Sequence, residues 1–117
     1  MTSRFERAFL TCALLLTIVL LWAGVAPSAS KLEPSRLHHL AHFVSFAVLA
    51  IAWSFALPRV PAVLIALSVV GFGLAQEVIE IFGHSHGLEL RDVIVDAAGA
   101  LAGVVFARVY LTWFRPP

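Results

Sequence analysis

The chain has 117 residues, of which 61% are hydrophobic and 13% are charged, and its formal net charge is +1. A soluble domain is about half apolar and about a quarter charged, so a water-soluble globule of this length would leave too much apolar surface exposed. The small net charge provides no basic field for a polyanion, so no nucleic-acid partner is expected. A single cysteine permits neither an internal disulfide nor a thiolate metal cluster. The composition indicates an integral membrane protein.

Four stretches are long and apolar enough to cross a bilayer, which takes roughly 20 residues for a hydrocarbon core of about 30 Å. No stretch alternates apolar and polar residues as a membrane strand does, and backbone groups in lipid must be satisfied within their own segment. The spans are therefore expected to be helices. The expected fold class is all-α, with residues 1–117 forming one integral membrane four-helix bundle. The expected spans are residues 8–26, 37–57, 60–82 and 92–114.

Polar segments at 27–34 and 83–91 and a very short turn around Arg59 separate these spans. Lys and Arg accumulate on the cytoplasmic side of short loops, which places both termini in the cytoplasm and the chain in a plasma (inner) membrane. The first span also resembles a signal peptide, but its length favours an uncleaved helix. The expected cytoplasmic set is Arg4, Arg7, Arg59, Arg108 and Arg115, against Lys31, Arg36 and Arg91 outside.

Most of the chain's polar residues collect on the expected outer side of the membrane, at helical spacing. His38 and His42 share one face of the second span, because they are four residues apart. The third span carries a stripe of Gly73, Glu77, Glu80 and His84, and the fourth a stripe of Asp92, Asp96, Gly99 and Gly103. We expect these three stripes to meet in one pocket that opens outward.

Carboxylates at membrane depth are the strongest candidates for a functional role. A charge facing lipid costs about 2.5–3.5 kcal/mol on insertion scales, so such residues normally face the bundle interior or water. The candidate catalytic residues are Glu77, Glu80, Asp92 and Asp96. A purely structural interpretation suits other polar residues better: His39 is expected in headgroup water, and His84 and His86 fit a polar loop equally well.

Imidazole and carboxylate side chains on neighbouring helices also suit a divalent metal such as zinc, manganese or iron. The candidate ligands are His38, His42, Glu77, Glu80 and Asp96. No HExxH signature is present, so a divalent metal cofactor is a hypothesis drawn from residue types alone. Gly99 and Gly103 form a small-xxx-small surface that lets a second helix approach closely, which also permits a homo-oligomer.

Three motifs in the same order resemble the VanZ-like family of small membrane proteins, over residues 31–105. They are His42-Phe43-x-x-Phe46-x-x-Leu49, Glu77-x-x-Glu80 and Asp92-x-x-x-Asp96-x-x-Gly99-Ala100-x-x-Gly103. The family usually has Glu-x-x-Gln and Asp-x-x-x-Asn, an Asp-Lys pair where His38 and His39 stand, and an arginine where His86 stands. The resemblance implies a bacterial membrane protein associated with low-level teicoplanin resistance.

Four functions are compatible with these features. The favoured one is a cell-envelope protein whose outer pocket engages a lipid-linked or envelope substrate. The first alternative is a metal-dependent membrane hydrolase acting at the outer leaflet. A proton or cation pathway is less favoured, because the polar residues stop at the outer third of the spans. The last alternative is a structural scaffold that oligomerises through Gly99 and Gly103.

Overall fold

The computed structural model describes residues 3–25, 35–84 and 90–114, without the side chains of residues 24–25, 35–38 and 80–84. Over these ranges the chain is helical and contains no strand. The helices are α1 (Arg4–Val25), α2 (Ser35–Ala56), α3 (Ala62–His84) and α4 (Leu90–Phe114). Each is long and apolar enough to cross a membrane. The predicted fold class, an all-α membrane protein with four spans, is confirmed.

The helix ends follow local capping chemistry. α1 begins earlier than predicted because Ser3 caps it: the Ser3 hydroxyl accepts a hydrogen bond from the Glu6 amide at 3.0 Å. α2 ends just before Pro58, since proline has no amide hydrogen to continue a helix. The Pro61 carbonyl accepts from the Leu64 amide at 3.0 Å and so starts α3. The expected short hairpin between the second and third spans is present.

α2 and α4 run parallel and form the closest helix pair in the bundle. A Cβ added at Gly99 would overlap the Phe43 carbonyl oxygen, and one added at Gly103 would overlap the Ala47 carbonyl oxygen. The small-xxx-small surface therefore lets two helices of one chain meet backbone to backbone. α2 covers the face of α4 that carries Gly99 and Gly103, so the possible homo-oligomer through these glycines gains no support and stays a prediction.

The buried face of α4 repeats at helical spacing and continues from polar into apolar residues. α1 lies at the periphery, where Ala13 is its one fully buried residue among those with described side chains. Two side-chain hydrogen bonds attach α1 to the bundle. The Trp53 indole donates to the Thr17 hydroxyl at 3.2 Å, and the Gln76 amide donates to the Leu20 carbonyl.

Successive helices run in opposite directions, so their ends meet at two opposite ends of the bundle. These two ends differ in chemistry. The turn end contains the α2–α3 turn, where Arg108 of α4 donates to the Pro58 carbonyl at 2.9 Å and to the Val60 carbonyl at 2.6 Å. Arg59 in the same turn lies 3.7 Å from the Glu6 carboxylate. The histidine end contains the first turns of α2 and α4 and the last turns of α3. It holds the candidate site.

Candidate functional site

The centre of the site is a hydrogen bond between two helices. His42 Nδ1 of α2 lies 2.8 Å from Asp96 Oδ1 of α4. The Asp96 side chain is 3% exposed and the His42 side chain 14%. A carboxylate at Nδ1 fixes the orientation of an imidazole and leaves proton exchange to Nε2. The ring of His42 is also nearly parallel to that of Phe46, with centroids 6.3 Å apart.

A second imidazole–carboxylate pair lies one turn nearer the helix starts. His39 Nε2 is 3.3 Å from Asp92 Oδ1, and the Asp92 side chain is 2% exposed. His39 is 25% exposed and also contacts this carboxylate, a partner that the sequence did not predict. Both pairs follow the same register of α2 against α4 as the contacts of Gly99 and Gly103 with α2. Parallel packing of α2 on α4 therefore sets both pairs at once.

α3 supplies the third side of the site. Glu77 is 1% exposed and lies close enough to Asp96 for a direct electrostatic interaction, as does Asp92. Gly73, one turn away from Glu77, makes room for this arrangement. A Cβ at Gly73 would lie 3.2 Å from Asp96 Cβ and 3.1 Å from Phe46 Cε1. The predicted meeting of the three helical stripes is seen at His42, Glu77 and Asp96.

The described carboxylates of the site are buried between the helices. The outward-opening pocket stays a prediction, because its expected rim includes side chains outside the described residues. Glu77, Asp92 and Asp96 are each 1–2% exposed. The two histidines are the more accessible members of the cluster. An incoming group would therefore meet imidazole first, with a carboxylate behind each ring. Segments 26–34 and 85–89, which include His86, lie outside the described residues.

The metal hypothesis gains no support from the described side chains. Among them, no group of three or more His, Cys, Asp and Glu residues is placed to hold a metal ion. His42 directs Nδ1 at Asp96, so these two predicted ligands bind each other. The side chains of His38, Glu80 and His84 lie outside the described residues. The predicted ligand set therefore stays a prediction.

The sequence analysis missed one buried polar residue beside the site. Gln76 is 5% exposed and adjacent to Glu77 in the chain, but it points away from the carboxylates and donates to the Leu20 carbonyl of α1. Its position one residue off the Gly73–Glu77 stripe was the available signal, because neighbouring helix positions face about 100° apart. Gln76 attaches α1 and takes no part in the described His–carboxylate contacts.

Comparisons with known proteins leave the family open: no family model, no curated protein and no solved structure matches this chain. The resemblance to the VanZ-like family thus rests on the three motifs alone. Two of them contribute to the site, through His42 and Phe46 on α2 and Asp92 and Asp96 on α4. In the third, Glu77 is placed in the cluster, whereas the Glu80 side chain is not described.

Proposed function

We propose that this chain is a multi-pass protein of a bacterial inner membrane whose His–carboxylate cluster engages a lipid-linked or cell-envelope substrate at the outer leaflet. The observation that carries the proposal is the His42–Asp96 pair, in which Asp96 is buried and His42 is partly exposed, with Asp92 and Glu77 beside it. Intramembrane ionisable residues that face a bundle interior are by default functional. The resemblance to VanZ-like proteins supports an accessory role in glycopeptide resistance.

The described side chains of the cluster indicate the chemistry of its substrate. Three carboxyl groups and two imidazoles lie together there, so these side chains are rich in hydrogen-bond acceptors. Such a site attracts protons, cations and hydrogen-bond donors. Hydroxyl, amide and amine groups of a sugar or peptide headgroup provide such donors. A headgroup anchored by its own lipid would reach the cluster from the adjoining interface.

The accessible histidines and buried carboxylates have different tasks in this proposal. His39 and His42 are the more exposed members of the cluster, while Asp92 and Asp96 hold their rings in position. An imidazole held by a carboxylate is suited to accept a hydrogen bond from a substrate hydroxyl or amine. The position of the Asp96 carboxylate also depends on α3, because a Cβ at Gly73 would lie 3.2 Å from Asp96 Cβ and 3.3 Å from Asp96 Oδ2.

The proposal is tested by teicoplanin susceptibility of a Gram-positive host that expresses the chain. Expression of the unaltered chain is expected to raise the inhibitory concentration. Asp96→Asn and Glu77→Gln should abolish that increase at unchanged membrane abundance, since both replace a buried carboxyl group by an amide of the same shape. Glu6→Gln is the matched control, because it makes the same chemical change at the turn end.

Protection that persists in both site variants would overturn the assigned role of the cluster. Absence of protection by the unaltered chain, at normal abundance, would overturn the resistance-related part. Loss of protection in Glu6→Gln as well would show that any carboxylate change damages the bundle, and would remove the support for this site.

Both termini are proposed to be cytoplasmic, which cysteine labelling from either side of the membrane checks independently.

A further inference from the structure

An apolar groove lies between α1, α2 and α3, apart from the His–carboxylate cluster. Its volume is about 500 Å³. The walls are mainly aliphatic and aromatic, and Trp53 and Phe72 provide the largest surfaces. Thr17 contributes a hydroxyl, but that hydroxyl already accepts from the Trp53 indole and donates to the Ala13 carbonyl. The groove therefore presents an apolar lining at a position that lipid surrounds.

The length and position of the groove match the hydrocarbon of one leaflet. It begins at the turn end with Leu57 and Val60 and reaches Leu49 and Phe72 in the middle of the bundle. Leu49 and Leu57 are eight residues apart, which corresponds to about 12 Å along a helix. Half of a bilayer core is about 15 Å. Phe72 and Phe46, with ring centroids 6.0 Å apart, separate the groove from the His42–Asp96 pair.

A positive charge marks the membrane-surface end of the groove. Arg59 precedes the lining residue Val60, and its side chain is 69% exposed. Its contact with Glu6 is loose, at 3.7 Å, so the guanidinium remains accessible to solvent and headgroups. An arginine at this depth attracts anionic headgroups. The apolar lining and the exposed cation thus follow one another in the same order as the acyl chain and the phosphate of a phospholipid.

The geometry points to a binding site for an anionic phospholipid of the leaflet at the turn end. One acyl chain lies in the groove along Leu49, Trp53 and Phe72, and the phosphate lies beside Arg59. Lipid tails outside the groove are as apolar as its lining, so burial of the acyl chain alone gives no selectivity. Selectivity for anionic lipid comes from Arg59. This site is independent of the proposed envelope function.

Trp53 makes the proposal measurable, because bromine atoms on an acyl chain quench nearby indole fluorescence. The Trp22→Phe, Trp113→Phe background leaves Trp53 as the sole tryptophan, and both substituted residues are exposed on the bundle surface. The protein is placed in phosphatidylcholine nanodiscs with increasing fractions of brominated phosphatidylglycerol or brominated phosphatidylcholine. Half-maximal quenching is expected at a severalfold lower fraction of the anionic lipid.

Variants separate the headgroup contact from the chain contact. Arg59→Gln should bring the two quenching curves together, whereas Glu6→Gln, which removes only the neighbouring carboxylate, should keep them apart. Ser68→Phe should reduce quenching by both lipids because it fills the groove from its exposed rim. Val105→Phe, an equally exposed site on α4, is the control and should change neither curve.

Equal quenching by the two lipids in the starting protein would overturn the proposal in favour of ordinary surrounding lipid. Absence of quenching by either lipid would also overturn it, and a dimer in the same nanodiscs would then identify a second copy as the occupant. Arg59→Gln is interpreted only with an unchanged melting temperature. If that variant unfolds, an unchanged anionic preference in Arg59→Lys supports the assignment and a lost one contradicts it.

Discussion

His42 and Asp96 join two parallel helices through one hydrogen bond of 2.8 Å, from Nδ1 to Oδ1. Removing one member of such a pair deprives the other of this hydrogen bond, and a hydrogen bond lost by a buried polar group costs about 1–3 kcal/mol. Removing both members avoids that penalty. The two residues should therefore be strongly coupled in stability, and this coupling is the direct signature of the contact.

A double-mutant cycle measures that coupling. The free energy of unfolding in detergent is determined for His42→Ala, Asp96→Ala and the double variant. The double variant is expected to lose less than the sum of the single variants, with a coupling of about 1–3 kcal/mol. The His39–Asp92 pair is longer, at 3.3 Å, and His39 is more exposed, so its cycle should give a smaller value. Additive losses at His42 and Asp96 would contradict the observed pairing.

Close backbone contact between α2 and α4 gives the next expectation. Gly99→Ala and Gly103→Ala should each destabilise the bundle, because the new methyl group would overlap a carbonyl oxygen of Phe43 or Ala47. Overpacking of this kind costs about 1–3 kcal/mol. Thermal unfolding in detergent provides the measurement, and size-exclusion chromatography should show an unchanged oligomeric state.

Gly71→Ala is the matched control for both glycines, since a Cβ at Gly71 meets nothing within 4 Å. It should be neutral or slightly stabilising. If Gly99→Ala behaves like Gly71→Ala, the two helices do not pack at this distance. If Gly99→Ala changes the oligomeric state and leaves monomer stability intact, the glycine face belongs to an intermolecular contact after all.

Gly73→Ala should disturb the site more than the fold. A methyl group there lies 3.1–3.3 Å from Phe46 and Asp96, so these side chains must shift by a few tenths of an ångström. We expect a small change in unfolding temperature and a clear change in the ¹⁵N signals of the His42 ring. Gly71→Ala should leave those signals in place. Unchanged His42 signals in Gly73→Ala would show that Gly73 does not bound the site.

The opposite end of the bundle depends on Arg108, which joins α4 to the α2–α3 turn. Hydrogen bonds from a charged donor contribute about 1.5–3 kcal/mol each. Two such bonds together contribute about 3–6 kcal/mol, so Arg108→Ala should lower the free energy of unfolding by about that amount and expose the turn at 57–61 to protease. The stability of Arg108→Lys should lie between that of the unaltered chain and that of Arg108→Ala, because a single ammonium group replaces the planar guanidinium group. Arg59→Ala, an exposed substitution in the same turn, should change stability by about 0.5 kcal/mol or less.

Much of the fold was predictable from the length of the hydrophobic segments and from the helical spacing of their polar residues. Four apolar runs indicated four helices, and the i, i+4 spacing of Asp92 and Asp96 placed both on the buried face of α4. The same reasoning placed Glu77 beside them. These features are local, because the energetic cost of a carboxylate in lipid determines which way its helix face turns.

Which helix packs against which could not be predicted in the same way. A small-xxx-small surface specifies close approach but not which helix approaches, so the sequence is compatible with a homo-oligomer through Gly99 and Gly103 as well as with the observed packing on α2 of the same chain. The contacts of His39 with Asp92 and of Gln76 with the Leu20 carbonyl depend likewise on where a distant helix lies. Such relationships between helices require the three-dimensional arrangement.

Native mass spectrometry of the protein purified from bacterial membranes tests the central claim most directly. The unaltered chain should retain a lipid-linked species with a polar sugar or peptide headgroup. Asp96→Asn should retain it about tenfold less, which corresponds to about 1.4 kcal/mol and to one lost charge-assisted hydrogen bond. Ser68→Phe, which alters only the apolar groove, should retain it fully. Equal retention by the unaltered chain and by Asp96→Asn would contradict the account, as would a protein that carries only ordinary phospholipid.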